Sequence, residues 1–516
     1  MSDRNIRGNG ATRGLVWTAA ACITVSLLVM IAISAAGPSI TVPAMAHAPT
    51  GAPPWSASLK LSQPFVLITM WVTAVVAAVG VGTGLLAVAR GARPPVKPLL
   101  VASFVVVAAF AFTPAAGTTD TQSYAIDGNM VTLHHSPYVF TPAKMVTLGD
   151  KLAVGSPPTW AHALSDYGPI ATGEEWAAAA LGGHSMALIT FWLKIFVALT
   201  FVAISLLFDR LLRDDPAMRL RAHLLWSLNP LLLWEIVASG HVDGISAALG
   251  VAGLAVLRFT PTKDAEYAMP SLARCAAAGA LLGAAAATKS PYALFLVGAL
   301  WAVRRSPARI ASAIGGWLVV TVTAYAIAGM PAVNVLFDRG NQVTWDNLYQ
   351  VFYRPFGLAG PLSSDLVPGF VFPLALALFI GVAVLAFFRL PNRVPSLPAV
   401  TPTLALGLAW IFFWPFQRPW YDVMIIALLV LYPSSRLDAL ILVRLCFGAV
   451  TYMEAIRVSP NAWYQHMQFF EGDWVTSSAR LLTAAALIWM CVRGRWGGTP
   501  DRPVPAVGTP ILQPLS

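Results

Sequence analysis

The chain has 516 residues, of which 57% are hydrophobic and 11% are charged, and its formal net charge is +10. In soluble domains about a quarter of all residues are charged, so this composition excludes a water-soluble globular protein. The positive charge does not require a nucleic-acid partner, and we expect none, because membrane proteins concentrate Lys and Arg in cytoplasmic loops. The cysteines lie in apolar runs without metal-ligand spacing and are expected to be small core residues: Cys22, Cys275, Cys446 and Cys491.

Apolar segments long enough to cross a membrane recur along the whole chain. The first segment follows a basic N-terminal tail, 1–13, and is too long for the core of a signal peptide, so we expect a retained helix. The predicted segments are 14–36, 64–89, 98–116, 185–208, 221–239, 244–259, 271–288, 291–303, 309–329, 369–389, 398–414, 422–433, 438–456 and 480–493. They indicate an all-α polytopic membrane protein with about 12–14 transmembrane helices.

The basic residues predict the orientation of the chain in the membrane. With the N-terminus in the cytoplasm, connections such as "RGARPPVK", "DRLLRDDPAMRLR" and "RRSPAR" fall on the cytoplasmic side, as the positive-inside rule requires. The N-terminal tail and a Pro-rich C-terminal tail, 494–516, are then cytoplasmic, and they flank one membrane domain, 14–493. Its long polar loops lie outside, near 37–63, 117–184, 330–368 and 457–479, and are expected to bear short interfacial helices. We expect the functional site on this outer face and regard loop 37–63 as a plain connection.

The polar stretch "TPAAGTTDTQSYAIDGNMVTLHHSPY" follows the third apolar segment directly. It presents Asp120, Asp127, His134 and His135, and part of it has the spacing of a short amphipathic helix at the interface. Asp120 sits where the third helix leaves the membrane, and a carboxylate there could act as a general base. The alternative is a solvated loop acid or a helix N-cap.

The segment "NPLLLWEIVASGHVDG" contains Glu235 within an apolar run, followed by His241 and Asp243 in a tight connection. Ionisable residues inside membrane segments are costly and usually face a polar interior or a cavity. Pro230 is expected to kink this helix and to free backbone carbonyls. The alternative is a buried Glu that is hydrogen-bonded to the backbone, followed by an ordinary turn.

Two cations are predicted at outer helix ends. Lys289 follows "AAAAT" and either snorkels to the interface or provides a point charge for an anionic head group. Arg418, in "FFWPFQRPWYD", stands between prolines and tryptophans, and the aromatic residues could form an interface belt. A guanidinium fork on a fixed backbone suits phosphate. Arg354, in the loop 330–368, is a further candidate for the same role.

An acid and cations at one bilayer face suit chemistry on a lipid-linked phosphate. The cations would hold the phosphate leaving group while the carboxylate removes a proton from an acceptor hydroxyl. The sequence has no convincing DxD motif or metal-ligand cluster, so we expect no obligatory metal and no cofactor.

These motifs together resemble a known family. "DTQSYAIDGNMVTLHHSPY", "DYGP" and "NPLLLWEIVASGHVDG" are similar to segments of the actinobacterial polyprenol-phosphate-mannose-dependent α-(1→6)-mannosyltransferases, in order from about 113 to 300. The resemblance implies a C-type glycosyltransferase fold with an extracytoplasmic site and inversion of a sugar taken from a β-linked polyprenyl phosphate. It makes Asp120 the candidate catalytic carboxylate. The candidate substrate-binding residues are Tyr124, Asp127, His134, His135, Tyr138, Tyr167, Glu235, His241, Asp243, Lys289, Arg354 and Arg418.

The sequence departs from the family pattern in three places. The acid follows the third helix here, whereas in many members of the superfold it follows the first. The residue after His241 and the stretch between Tyr138 and Asp166 are also unusual.

The leading hypothesis is a glycosyltransferase of the cell membrane. It would move a sugar, with mannose expected, from a polyprenyl phosphate to a cell-envelope glycan or glycolipid among the membrane lipids. The alternatives are a transporter or flippase of a lipid-linked sugar and an inactive scaffold. Transporters often place ionisable groups at the midplane, whereas here most lie at outer helix ends, with Glu235 and Lys194 as exceptions.

Overall fold

The computed structural model describes residues 10–45, 49–261, 267–338, 343–344, 346–353, 366–391, 394–451 and 461–497. The protein is 73% helical, and one short antiparallel ribbon pairs β1 (Thr260–Pro261) with β2 (Tyr267–Ala268). The predicted all-α polytopic fold is therefore confirmed. The predicted tails fall largely outside the described residues, as does Arg354.

The α-helices follow the predicted segments closely, with further short helices in the outer loops. They are α1 (Gly10–Ala36), α2 (Gln63–Ala89), α3 (Val96–Phe112), α4 (Asp120–Thr132), α5 (Pro142–Thr147), α6 (Pro169–Gly182), α7 (Met186–Leu211), α8 (Pro216–Ala222), α9 (Pro230–Leu233), α10 (Asp243–Val256), α11 (Leu272–Thr288), α12 (Leu294–Ala302), α13 (Pro307–Ala328), α14 (Met330–Asp338), α15 (Gln350–Tyr353), α16 (Leu366–Arg389), α17 (Val400–Phe413), α18 (Val423–Leu431), α19 (Arg436–Thr451), α20 (Ala462–Phe470) and α21 (Ser477–Arg493).

Six helical stretches among the described residues are long and apolar enough to cross a membrane. They are 10–36, 63–89, 186–211, 307–328, 369–389 and 474–493. A seventh span is a bent pair, 230–238 with 243–256, whose two halves meet at 109°. Five shorter apolar helices among the described residues have 10–17 residues. The predicted number of 12–14 transmembrane helices is reached only if these shorter helices are counted together with the long spans.

The predicted segment 221–239 is broken rather than continuous. Here α8 runs into a π-helical turn, His223–Ser227, and the helix restarts only at Pro230. The side chain of Asn229 caps this restart by accepting from the Leu231 N–H at 3.2 Å. Proline has no N–H to donate inside a helix, so a helix is readily interrupted before it. The sequence predicted a kink at Pro230, and the helix is interrupted there.

Helix α4 differs from the predicted amphipathic interfacial helix. Most of its residues are buried, including Asp120 and Asp127, because α4 packs against both α6 and α7. At Gly128 an added Cβ would lie 2.1 Å from the carbonyl oxygen of Glu175, so the two backbones touch. The helix therefore has no broad solvent-facing side, and its polar residues face the protein interior.

Loop 37–63 is more than the plain connection expected from the sequence. The carbonyl of Thr41 accepts from the Gly117 N–H at 2.6 Å, just before α4 begins. The carbonyl of Ala44 accepts from the Gln122 side chain at 3.0 Å. This loop thus fixes the start of α4, where Asp120 lies.

Helices α11 and α13 are in backbone contact through small residues. A Cβ added to Gly279 would lie 2.0 Å from the carbonyl oxygen of Ala313, and one added to Gly316 would lie 2.0 Å from that of Ala276. Small residues permit such approach in membranes, where dispersion between helices replaces the hydrophobic driving force. Lys289 directly follows the C-terminal end of α11, so this contact also supports the position of Lys289.

We predict that Gly316→Ala lowers stability because the new methyl group meets the α11 backbone. Overpacking of this kind costs about 1–3 kcal/mol, and the expected result is a lower midpoint of thermal unfolding in detergent. The matched control is Gly315→Ala in the same helix, where an added Cβ meets nothing within 4 Å. Equal midpoints for the two variants would contradict the close helix contact.

Candidate active site

Helix α4 presents one polar stripe to a partly open cleft that buried side chains line. Asp120, Ser123, Tyr124 and Asp127 stand at positions i, i+3, i+4 and i+7, which lie on one face of a helix, and all four line the cleft. Asp120 occupies the first helical turn, where the helix dipole favours a carboxylate. Its side chain is only 4% exposed, so the alternative of a solvated loop acid is wrong.

A hydrogen-bond network centred on Tyr124 holds the acid. The Tyr124 hydroxyl lies 2.8 Å from the Tyr167 hydroxyl, 3.2 Å from Nδ1 of His241 and 3.5 Å from Oδ2 of Asp120. Burial raises the pKa of Tyr124 and of Tyr167 well above the usual value, and the charge of Asp120 adds to this shift. Both phenols therefore stay protonated and can donate hydrogen bonds.

His241 lies behind two residues of the cleft lining, Tyr124 and Trp420. Its ring stacks on Trp420 with 3.7 Å between centroids, and its Nδ1 lies 3.9 Å from Oδ2 of Asp120. The turn before it needs Gly240, whose φ of +72° disfavours a side chain, since an added Cβ would meet Thr121 at 2.8 Å. Trp420 is buried against His241, so the alternative of an interface belt is wrong for this residue.

Lys289 is buried and paired rather than snorkelling. Its Nζ lies 2.7 Å from Oδ2 of Asp243, at the start of α10. The ammonium group also lies 4.0 Å from the ring centroid of Tyr421 and 5.2 Å from that of Tyr167. The Tyr292 hydroxyl donates to the carbonyl of Asp243 at 3.2 Å. These contacts place one cation behind the aromatic wall of the cleft.

Arg418 supplies a cation to the same cleft as Asp120. It is 6% exposed, with its guanidinium carbon 5.1 Å from the ring of Phe416 and 6.0 Å from that of Trp160. The backbone around it is fixed by its neighbour Gln417, which donates to the carbonyls of Trp410 and Trp414 at 2.9 and 3.0 Å.

A buried ion pair braces this segment from the side of α19. Asp422 accepts from Arg444 at 2.8 Å, and Arg444 also donates to Gln417 at 3.2 Å. The residues on both sides of Arg418 are therefore anchored, and this fixed backbone holds Arg418 at the cleft.

A second cavity of about 1030 Å³ adjoins the cleft, and we call it the apolar groove. It shares with the cleft a wall of Asp166, Tyr167, Phe416 and Tyr421. Lys289 lies at its polar side, whereas most of its remaining lining is apolar: Pro291, Ala293, Leu294, Val335, Leu336, Trp410 and Trp414. A ligand with a charged group in the cleft and an alkyl chain in the apolar groove would cross this wall.

A family profile described as Alpha-(1->6)-mannopyranosyltransferase, N-terminal domain, matches residues 19–305, more than half of the chain. The chain belongs to this mannosyltransferase family. The resemblance found in the sequence is thus confirmed, and membership indicates a glycosyltransferase with a sugar donor and a glycan acceptor. Neither the curated proteins nor the solved structures contain a match.

The cleft combines matched and unmatched parts of the chain. The matched part contains Asp120, Tyr124, His241 and Lys289. Arg418 and its neighbours Trp420 and Tyr421 lie beyond it, and they close the cleft. Both halves of the chain therefore contribute side chains to one cavity.

Several predicted residues lie away from the cleft. His134 and His135 line a separate groove of about 1390 Å³ beyond the other end of α4. Fourteen positions of helix correspond to about 20 Å, so these imidazoles are not neighbours of Asp120. Glu235 is buried but lines neither the cleft nor the apolar groove.

Two other predicted groups support the site from outside. Tyr138 lies behind Tyr167, and its hydroxyl lies 2.7 Å from that of Thr172 and 3.1 Å from the carbonyl of Tyr167. The Lys194 ammonium donates to the carbonyls of Thr113 and Pro114 at 2.6 and 3.1 Å, at the exit from α3. Lys194 thus orders the connection that leads to Asp120.

The structure also adds residues that sequence analysis missed. Ser123, Trp160, Ser165, Asp166 and Tyr421 all line the cleft. Ser123 could have been found from its place on the stripe of α4, three residues after Asp120. Trp160 and Ser165 lie in the irregular connection between α5 and α6, where no periodicity indicates the direction of a side chain. No cluster of three or more metal-ligating residues occurs within the described ranges.

We predict that Asp243→Asn destabilises the protein by about 3–5 kcal/mol, because it leaves the Lys289 ammonium buried without its carboxylate. Thermal unfolding in detergent should show a clear drop in midpoint. Asp214→Asn is the control, since the Asp214 side chain is 87% exposed and its ion pair with Arg213 lies at the surface. A normal midpoint for Asp243→Asn would mean that the Lys289 pair does not support the site.

Proposed function

We propose that the protein transfers mannose from a polyprenyl phosphate to a hydroxyl group of a cell-envelope glycan or glycolipid, on the outer face of the membrane. The observation that carries this proposal is the convergence of Asp120 and Arg418, from distant parts of the chain, on one cleft. Family membership supports the mannosyl group. The adjoining apolar groove supports a lipid-linked donor.

The proposed reaction is a direct displacement at the anomeric carbon. The acceptor oxygen forms a bond to C1 of the mannose while the bond from C1 to the phosphate oxygen breaks, which inverts C1. The acceptor proton passes to the Asp120 carboxylate, which acts as general base. The electron pair of the broken bond stays with the polyprenyl phosphate.

The two cations account for the stabilisation of this leaving group. Arg418 can present its guanidinium fork to the phosphate from the cleft. Lys289 lies behind the shared wall, where it adds positive charge although Asp243 partly balances it. Because these side chains supply the charge that a metal would otherwise provide, the proposal includes no obligatory metal or cofactor.

The apolar groove provides for the prenyl chain. Its lining by Leu294, Val335 and Leu336 lies next to Lys289, so an isoprenoid there would bring its phosphate to the polar end. The sugar would then extend past the wall of Tyr167 and Tyr421 towards Asp120. Tyr124 and Tyr167 would hold the carboxylate in position during proton transfer.

The orientation is part of the proposal. The distribution of basic residues supports an orientation with both termini in the cytoplasm and the connection containing α4 to α6 outside. The donor would therefore be used in the outer leaflet.

The transporter hypothesis has one observation in its favour, the bent span with Glu235 buried near its break. Broken helices of this kind occur in secondary transporters. Purified protein in detergent distinguishes the two hypotheses, because detergent removes any transport readout. Movement of labelled mannose from polyprenyl phosphate to an acceptor glycan would identify an enzyme, and its absence would favour transport.

We predict that Asp120→Asn lowers kcat by about 10²–10⁴-fold, the usual contribution of a general base. The amide keeps the shape of the side chain but cannot accept the proton, so thermal stability should stay close to that of the wild type. Turnover of labelled polyprenyl-phosphate-mannose in detergent provides the measurement. Asp214→Asn, a change at the surface, should keep full activity. Near-normal turnover of Asp120→Asn would exclude this residue as the base.

We predict that Arg418→Lys lowers kcat/KM for the donor by about tenfold or more, since a point charge replaces a bidentate fork. Arg418→Gln should lower it further, because the charge is lost as well. Steady-state kinetics at varied donor concentration measure both effects. An Arg418→Gln enzyme with unchanged donor kinetics would rule out phosphate binding at this position.

A further inference from the structure

The cleft contains buried hydrogen-bonding atoms that the proposed reaction does not use. Ser123, Trp160 and Ser165 line it, and their Oγ, Nε1 and Oγ atoms, respectively, are buried without a hydrogen-bond partner in the described part of the chain. Buried polar atoms in proteins are satisfied in the great majority of cases. Three such atoms, from α4 and from the connection before α6, indicate a ligand that carries several hydroxyl groups.

The backbone around these atoms is held firmly. Ser165 is 5% exposed, and its N–H donates to the carbonyl of Pro137 at 3.0 Å. The N–H of Trp160 donates to the carbonyl of Pro157 at 2.9 Å. The backbone of both residues is thus ordered before a ligand arrives, which lowers the entropic cost of binding.

Asp127 gives this part of the cleft its charge. It lies on the α4 stripe seven residues after Asp120, about 10 Å along the helix axis. Glu175 is buried nearby, and burial together with the charge of Asp127 raises its pKa well above the usual value. Carboxylates repel a phosphate but accept hydrogen bonds from sugar hydroxyls, so a neutral polyol suits this place better than the donor phosphate.

We propose that Ser123, Asp127, Trp160 and Ser165 form the subsite for the terminal hexose of the acceptor glycan. The inference rests on the proposed function and adds the position of the acceptor. These four residues line the cleft but not the apolar groove, so they lie outside the proposed path of the prenyl chain. Asp120 lies on the same stripe and can take the proton of the sugar hydroxyl that points towards the donor.

The test uses α-(1→6)-linked mannotriose as acceptor and polyprenyl-phosphate-mannose as donor, with the full-length protein in detergent. Trp160→Phe keeps the aromatic ring and removes only the N–H donor, and Ser165→Ala removes one hydroxyl. Each variant should raise KM for mannotriose about three- to tenfold, the effect of one hydrogen bond. KM for the donor should stay unchanged.

Binding of mannotriose without donor, followed by saturation-transfer NMR, separates this inference from the reaction. The wild type should bind, and each variant should bind about three- to tenfold more weakly. Trp55→Phe is the matched control, since the Trp55 N–H donates to Gly51 within an exposed outer loop. It should bind as the wild type does.

Three results would overturn the subsite. They are unchanged mannotriose binding in Trp160→Phe and Ser165→Ala, a rise in KM for the donor alone, or no mannotriose binding by the wild type. If the wild type transfers mannose while both variants match it, the proposed function stands and the subsite does not. If the wild type binds mannotriose through these residues but transfers nothing, the subsite stands and the proposed function does not.

Discussion

A charge buried in the interior of a membrane protein must have a partner, and this constraint shapes the region around the cleft. Moving an unpaired ion out of water costs several kcal/mol or more. Lys289 meets the constraint with Asp243, Arg444 with Asp422, and Lys194 with the carbonyls at the end of α3. Each of these partnerships joins segments that are not adjacent in the chain. The same contacts that satisfy the charges therefore fix the elements that line the site.

The fold was largely predictable because lipid imposes a simple rule on sequence. Backbone groups in hydrocarbon must bond within a helix, so long apolar runs mark helices directly. Most predicted segments end within a few residues of the observed helices, and Pro230 marks the point where the helix restarts after the interruption at 223–229. The error at α4 has a physical cause. Its polar residues suggest a wet surface, but they are buried because the neighbouring helices α6 and α7 cover them.

The site was predictable only in part. Asp120, Asp243, Lys289 and Arg418 were found because an ionisable group at a helix end is conspicuous in an apolar chain. Sequence spacing could not show that Lys289 binds Asp243, since that pairing depends on how α10 and α11 pack.

For other residues, proximity in the sequence indicates the wrong spatial neighbours or none. His134 and His135 share a short stretch of sequence with Asp120, yet helix α4 separates them from it in space. Trp160 lies in irregular structure, where only the tertiary fold decides which way a side chain points. Local proximity in sequence is therefore a poor guide once a helix intervenes.

The surroundings of Asp120 fit its proposed task as a base. Its carboxylate lies close to the hydroxyl of Tyr124 and the imidazole of His241. Arg418 reaches the same cleft, with its guanidinium group packed against the rings of Phe416 and Trp160. Proton acceptance and charge stabilisation are thus assigned to different groups that face one cavity, and a displacement at a sugar phosphate needs both at once.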